Sequence, residues 1–224
     1  MLRSFLVELD HVLIAVTDLS VAAREIEARY GLASLEGGRH PAWGTANRIV
    51  PLGDSFLELV SVVDGVNASQ SVFGRWVAAG ASKHGQLIGW AVRPSDLDAV
   101  AARLHLEVQG GSRTTATGAM VQWRNAGIGQ AAADGSLPFF IEWGLETPFP
   151  GKALISHPSG TARISRLMLD ANPGRLAAWL GDHRLPIVVR DGSPAVVQIV
   201  VSVADREIAI RFTPDNTPPD APQF

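Results

Sequence analysis

The sequence contains no cysteine. Disulfides, thiolate metal sites and cysteine nucleophiles are therefore excluded, and the composition fits a reducing compartment. Strong charge of either sign is also missing. The 19 basic and 22 acidic residues leave a formal net charge of −3, with no basic stripe for nucleic acid or an anionic membrane. No apolar run reaches the ~18 residues of a membrane span; one of the longest, residues 194–203, stops well short. The first ten residues, Met1 to Asp10, are too short and too acidic for a signal peptide, so a cytoplasmic protein is expected. The sequence holds no P-loop, dinucleotide glycine fingerprint, Gly-x-Ser-x-Gly elbow or His-Glu-x-x-His pair. ATP, NAD and serine hydrolase chemistry find no support.

What is present is a chain of 224 residues, 46% hydrophobic and 18% charged, long enough to bury a core. A repeated pattern organises it. Leu9 to Val16 reads as an apolar strand, with Asp18 as a helix cap and Val21, Ala22, Ile26 and Tyr30 at helical spacing before Gly31. Leu87 to Val92, Asp96 and the stripe Leu97, Val100, Ala101 and Leu104 repeat that order. Ile164 to Leu169, then Asn172 capping a helix that opens on Pro173, repeat it again. The three caps lie 78 and 76 residues apart. Short strand-like runs follow each helix, at 46–51 and 55–62, then 107–110, 119–125 and 138–143, then 186–190, 195–203 and 206–212, with Gly37-Gly38, Gly53-Asp54, Gly110-Gly111 and Asp191-Gly192 read as turn signals between them. The fold class expected is α+β, with βαβββ modules forming a curved, partly open mixed sheet, or cup, and helices outside. Residues 1–160 would form a domain of two modules (about 5–65 and 85–146), 161–213 a third, divergent βαβββ-like module, and 214–224 an extended tail. The alternative is an α/β sandwich without a cavity.

Polar side chains inside apolar strands mark the candidate chemistry, because a strand aims alternate side chains at opposite faces. His11 stands in the first strand, Glu58 in Phe56 to Val60, and Glu142 in Phe139 to Trp143. A buried carboxylate is costly unless paired, hydrogen-bonded or bound to metal. Two carboxylates at matching places in two repeats suggest one shared site, and with an imidazole they suit a divalent ion such as Zn, Mn, Ni, Fe or Co. Taken singly, each also reads as a structural histidine or a glutamate on a wet strand face.

The stretch Leu9 to Leu19, with Phe56 to Val60, resembles a module of the vicinal-oxygen-chelate superfamily (glyoxalases, bleomycin-resistance proteins and extradiol dioxygenases). Gly38 to Arg48 and Leu137 to Trp143 resemble its glyoxalase-like subgroup. The resemblance implies paired βαβββ modules around a cup, with a metal held by a first-strand His and a last-strand Glu from each module. His11, Glu58 and Glu142 match three of the four positions; the fourth falls at Leu87 or Ile88, which cannot bind metal. His84, Gln86, His157 or water are the alternatives there, or a site without metal. The ten residues from Arg39 to Arg48 offer Arg39, His40, Trp43, Thr45 and Asn47 as a substrate-binding set: guanidinium and amide for oxygen atoms, indole for an apolar face.

The expected function is a small-molecule enzyme, isomerase-like or lyase-like, in which the metal polarises a carbonyl or enediolate and Glu58 or Glu142 acts as base. The alternative is a non-catalytic binding protein of the same fold that sequesters a small molecule. A homodimer completing the cup is a further expectation. Trp90, Trp123, Trp143 and Trp179 read as core.

Overall fold

The structure, a computed structural model, describes residues 7–115, 118–204 and 206–212. The extended tail expected over 214–224 lies outside the described residues.

The chain begins with strand β1 (Val7–Ala15) and helix α1 (Leu19–Tyr30). Asp18 caps the helix by accepting from the Ser20 and Val21 amides, and Gly31 ends it in the left-handed region at φ 67°. Its buried stripe is Ala22, Ala23, Ile26 and Tyr30. Strands β2 (Leu35–His40), β3 (Thr45–Pro51) and β4 (Phe56–Val62) follow, then helices α2 (Gly65–Gln70) and α3 (Val72–Gly80). Next come β5 (Gln86–Pro94), α4 (Leu97–Leu104), β6 (Val108–Thr114), β7 (Met120–Ala126), helix α5 (Ile128–Ala133) and β8 (Phe139–Trp143), so that here a helix separates the last two strands.

These eight strands form a closed barrel in the order β1-β4-β3-β2-β6-β7-β8-β5. The cup expected from sequence is thus shut, but barely at one seam: β2 and β6 meet through a single residue pair, Arg39 opposite Thr114. Gly37-Gly38 and Gly110-Gly111 lie inside these two strands, which corrects their reading as turns. A Cβ on Gly111 would strike the Trp123 indole, and one on Gly37 would strike the Asn47 side chain, so these strand glycines admit close packing. Helices α1 and α4 lie outside. Helices α3 and α5 instead plug one end, with Phe73, Val77, Ile128 and Ala131 joining an inner core of Leu13, Val60, Ala91, Trp123 and Phe139.

The remaining elements are β9 (Ala162–Asp170), α6 (Pro173–Leu180), β10 (Ile187–Arg190), β11 (Ala195–Val203) and β12 (Arg206–Ile210). Asn172 caps α6 by accepting from the Arg175 amide. The element order is that of β1 to β4, but the pairing is not. The sheet runs β10-β9-β11-β12, with the first strand parallel to the second, whereas in the barrel β1 is parallel to the fourth, β4. This sheet packs on the barrel's outer face, where Val12, Trp90 and Phe140 share one core with Ile164, Leu167, Leu176 and Ile199. No helix of the described residues is long and apolar enough to cross a membrane.

Candidate functional site

The polar interior of the barrel starts with a bulge in β1. Leu9 pairs with Val92 and His11 with Ala91, so Asp10 has no partner of its own on β5. The extra residue breaks the two-residue alternation and turns both Asp10 and His11 inward, 0% and 2% exposed. His11 Nδ1 donates to Asp10 Oδ1 at 2.6 Å. Asp10 Oδ2 accepts from Trp143 Nε1 at 3.0 Å and Arg93 Nη1 at 2.7 Å. Three donors hold this carboxylate, which in turn fixes the proton of His11 on Nδ1. Phe56 stacks on the imidazole at 4.6 Å and Phe139 meets it edge-on at 5.4 Å.

His11 Nε2, left without a hydrogen-bond partner, lies 3.3 Å from Glu58 Oε2. Glu58 is 6% exposed, and its Oε1 accepts from Asn47 Nδ2 at 2.6 Å. The cavity these residues line also takes in His40, Arg113, Trp43, Trp123, Phe73 and Ile141. Its free space is ≈ 30 Å³, room for about two waters. Trp43 and Trp123, with ring centres 5.5 Å apart, separate it from an open groove of ≈ 810 Å³ lined by Gly110 to Ser112, Glu142 and Leu145.

Electrostatics divide the cavity. His40 accepts or donates one hydrogen bond, with Thr45 Oγ1 at 3.0 Å, and burial pushes its pKa down to about 4. Glu58 opposes that shift and Arg113 reinforces it. His40 is therefore neutral at neutral pH. Arg113 is 8% exposed and donates through Nη1 to the Gly37 carbonyl across the seam. Burial lowers its pKa, and the nearby Glu58 offsets only part of that; a guanidinium and a carboxylate line the same small space.

Of the residues singled out from sequence, the structure brings His11, Glu58, His40, Trp43 and Asn47 around one cavity. Thr45 is buried behind His40, and Arg39 is exposed on the outer face of β2. Glu142 is not with them. On β8 the inward residues are Phe139, Ile141 and Trp143; Glu142 points outward, paired with Arg124 at 2.9 Å, which also holds Asp98. The strand register explains the correction. His11 lies opposite Phe56 in the parallel β1–β4 pair, and Ala91 lies opposite Phe139 in the parallel β5–β8 pair. His11 and Ala91 face each other across β1–β5. The counterpart of His11 is therefore Ala91, not Leu87 or Ile88, and the counterpart of Glu58 is Ile141, not Glu142.

The substitutes for the fourth ligand are also elsewhere. His84 is exposed beside Glu25, and Gln86 is exposed at the start of β5. His157 is bonded to the Ala33 amide and the Pro51 carbonyl. The four positions where a metal would be held thus carry His, Glu, Ala and Ile, and a guanidinium already supplies a cation. No cluster of three or more metal-ligating side chains occurs among the described residues. The donor set does not fit a metal centre.

Asp10 and Arg113 were not singled out from sequence. Asp10 was hidden by the bulge. Arg113 sits in a polar run, Gln109 to Thr114, that gives no alternation to read.

The glyoxalase-like domain family matches residues 9–185. A hypothetical protein from Staphylococcus aureus, 15% identical, has a similar fold over 89% of this chain and 92% of its own, with a TM-score of 0.68. Methylmalonyl-CoA epimerase from Mycobacterium tuberculosis is 22% identical over 64% of this chain and 91% of its own, TM-score 0.44. The Streptomyces coelicolor epimerase is 19% identical over 59% and 90%, TM-score 0.42. A comparison with curated protein sequences returned no match. The family match covers most of the chain, which belongs to the glyoxalase-like domain family of the vicinal-oxygen-chelate superfamily.

Proposed function

We propose that the protein is a small-molecule enzyme that moves a proton at a carbon next to a carbonyl, with Glu58 as the base and His11 as its partner. This reading takes the barrel as two βαβββ modules, about 5–65 and 85–146, whose shared interior is the reaction site, with 161–213 as support. The observation that carries it is the buried His11 Nε2, unpartnered and 3.3 Å from Glu58 Oε2. Burying a carboxylate and an imidazole costs several kcal/mol unless the arrangement is satisfied, and this one is left unsatisfied on the side facing the cavity.

In this reading Glu58 Oε2 takes the proton. Asn47 holds the other oxygen of Glu58, which fixes the direction of the free lone pair. His11 Nε2 is the next acceptor along the line, and Asp10 stabilises the imidazolium that would form. Phe56, Phe139 and the tryptophans exclude water from the transfer. His40, held neutral by its burial, contributes a polar wall without adding charge.

The test is proton NMR in deuterium oxide over a panel of small hydroxy-carbonyl and keto compounds. The wild type should exchange a carbon-bound proton in at least one of them, and Glu58→Gln should lose that exchange while keeping its fold. Saturable binding without exchange in any compound would overturn the reading in favour of the sequestering role, to which the Trp-lined groove is also suited.

A further inference from the structure

We infer that Arg113 does in this cavity the electrostatic work for which the superfamily's architecture leaves a metal position: it is the fixed cation that receives the oxyanion formed when Glu58 takes its proton. The inference rests on the proton-transfer reading above and adds to it the electrophile and the charge type of the ligand, a planar monoanion such as an enolate or carboxylate group.

Three observations lead there. First, two of the four metal positions are aliphatic, Ala91 facing His11 across β1–β5 and Ile141 two residues beyond Phe139 as Glu58 is beyond Phe56, so the protein supplies no ion cage. Secondly, a guanidinium lines the same cavity as Glu58, 8% exposed, with Nη1 donating to the Gly37 carbonyl. A guanidinium carries five N–H donors; the Gly37 bond accounts for one, and Glu58 is the anion whose field it feels. Thirdly, β6 is tied to β2 by one residue pair, so the Gly37 bond also clamps Arg113 over the cavity at the seam.

Charge conservation then specifies the chemistry. Before reaction the cavity holds Arg113 as a cation, Glu58 as an anion and a neutral carbonyl. Glu58 Oε2 removes the proton from the carbon next to the carbonyl; the C–H pair becomes the new C=C bond, and the carbonyl π pair moves onto oxygen. Glu58 is now neutral and the substrate oxygen negative. Arg113 faces one negative charge throughout, so the negative charge moves within its field and the low-dielectric site never holds an unpaired ion. The groove beyond Trp43 and Trp123 accommodates the rest of the molecule, since the inner space takes only about two waters' worth of atoms.

Formate is the probe, a planar monoanion small enough for that space. It is titrated into nitrogen-15-labelled protein with chelator present, and the amides of Gly37 and Asn47 are followed against a chloride control. In the wild type formate competes with the Glu58 carboxylate for Arg113. Glu58→Gln, which removes that competitor, should bind formate about tenfold more tightly, and Arg113→Gln, which keeps a donor for Gly37, about tenfold more weakly than wild type. Arg113→Lys retains the charge and should fall between wild type and Arg113→Gln, which guards against a merely structural effect. Formate binding unchanged in Arg113→Gln, or present only after divalent metal is added, overturns the inference. The proton-transfer reading fails separately, if exchange survives in Glu58→Gln while formate binding still follows Arg113.

Discussion

His40 offers a stability measurement whose size follows from its place in the barrel. It is 3% exposed and its pKa is pushed down to about 4 by burial, the effect of Arg113 adding to that and Glu58 opposing it. In the unfolded chain the imidazole titrates near 6.5. Between those two values the unfolded state binds a proton that the folded state refuses, so stability falls as pH drops below about 6.5. The loss from this one group is ~2 kcal/mol by pH 5 and ~3 kcal/mol by pH 4, at 1.36 kcal/mol per pH unit over most of the window. Other groups in the protein also take up protons on acidification, so the wild type alone is uninformative. The comparison is with His40→Gln, which keeps a polar partner for Thr45 and does not titrate. Urea unfolding of both proteins from pH 7 to pH 5 should show the wild type losing ~2 kcal/mol more than the variant. Equal losses would refute the argument that burial holds His40 neutral.

Two other predictions concern carboxylates that the sequence presents alike. Glu142→Gln should change stability by less than ~1 kcal/mol in urea unfolding, because the side chain is 40% exposed and its Arg124 pair lies in water; proton exchange should persist, because Glu142 lines the outer groove and not the inner cavity. Asp10→Asn should lower the exchange rate by ~10²-fold or more. The single oxygen of the new amide stays with Arg93 and Trp143, so its NH2 faces His11 Nδ1 and drives the imidazole proton to Nε2. Nitrogen-15 NMR of the ring reads that tautomer directly, and a proton remaining on Nδ1 would contradict the assignment.

Strand boundaries were legible from sequence because apolar alternation and helix caps are local. Asp18, Asp96 and Asn172 each cap the helix expected of them. The strands placed over 46–51, 55–62 and 195–203 agree with the structure to within a residue. Phase was not legible where both strand faces are apolar. In β8, Phe140 packs outward against Trp179 while Phe139 and Ile141 point inward, so nothing in the hydrophobic pattern says that Glu142 faces out. Only the register with β5 fixes it. The bulge at Asp10 is likewise a tertiary event: period two puts Leu9 and His11 on one face, and the extra residue puts them on opposite faces. The strand β2 was hidden because its glycines read as turns, although they serve close packing against Asn47 and Thr114. Tryptophans divide in the same way. Trp90 is wholly buried, bonded to the Ser136 carbonyl, whereas Trp123 and Trp143 line the cavity. Composition cannot tell a core indole from a gate.

The most direct test of the account is the rate of carbon-bound proton exchange in protein stripped of metal, for whichever compound of the panel exchanges fastest. With chelator removed and Mn, Ni, Zn, Co or Fe then added back, the rate should stay at its metal-free value in the wild type and stay lost in Glu58→Gln. A stripped protein that is silent, and that regains exchange with one divalent ion per chain, would contradict the claim that His11, Glu58 and Arg113 carry the chemistry themselves.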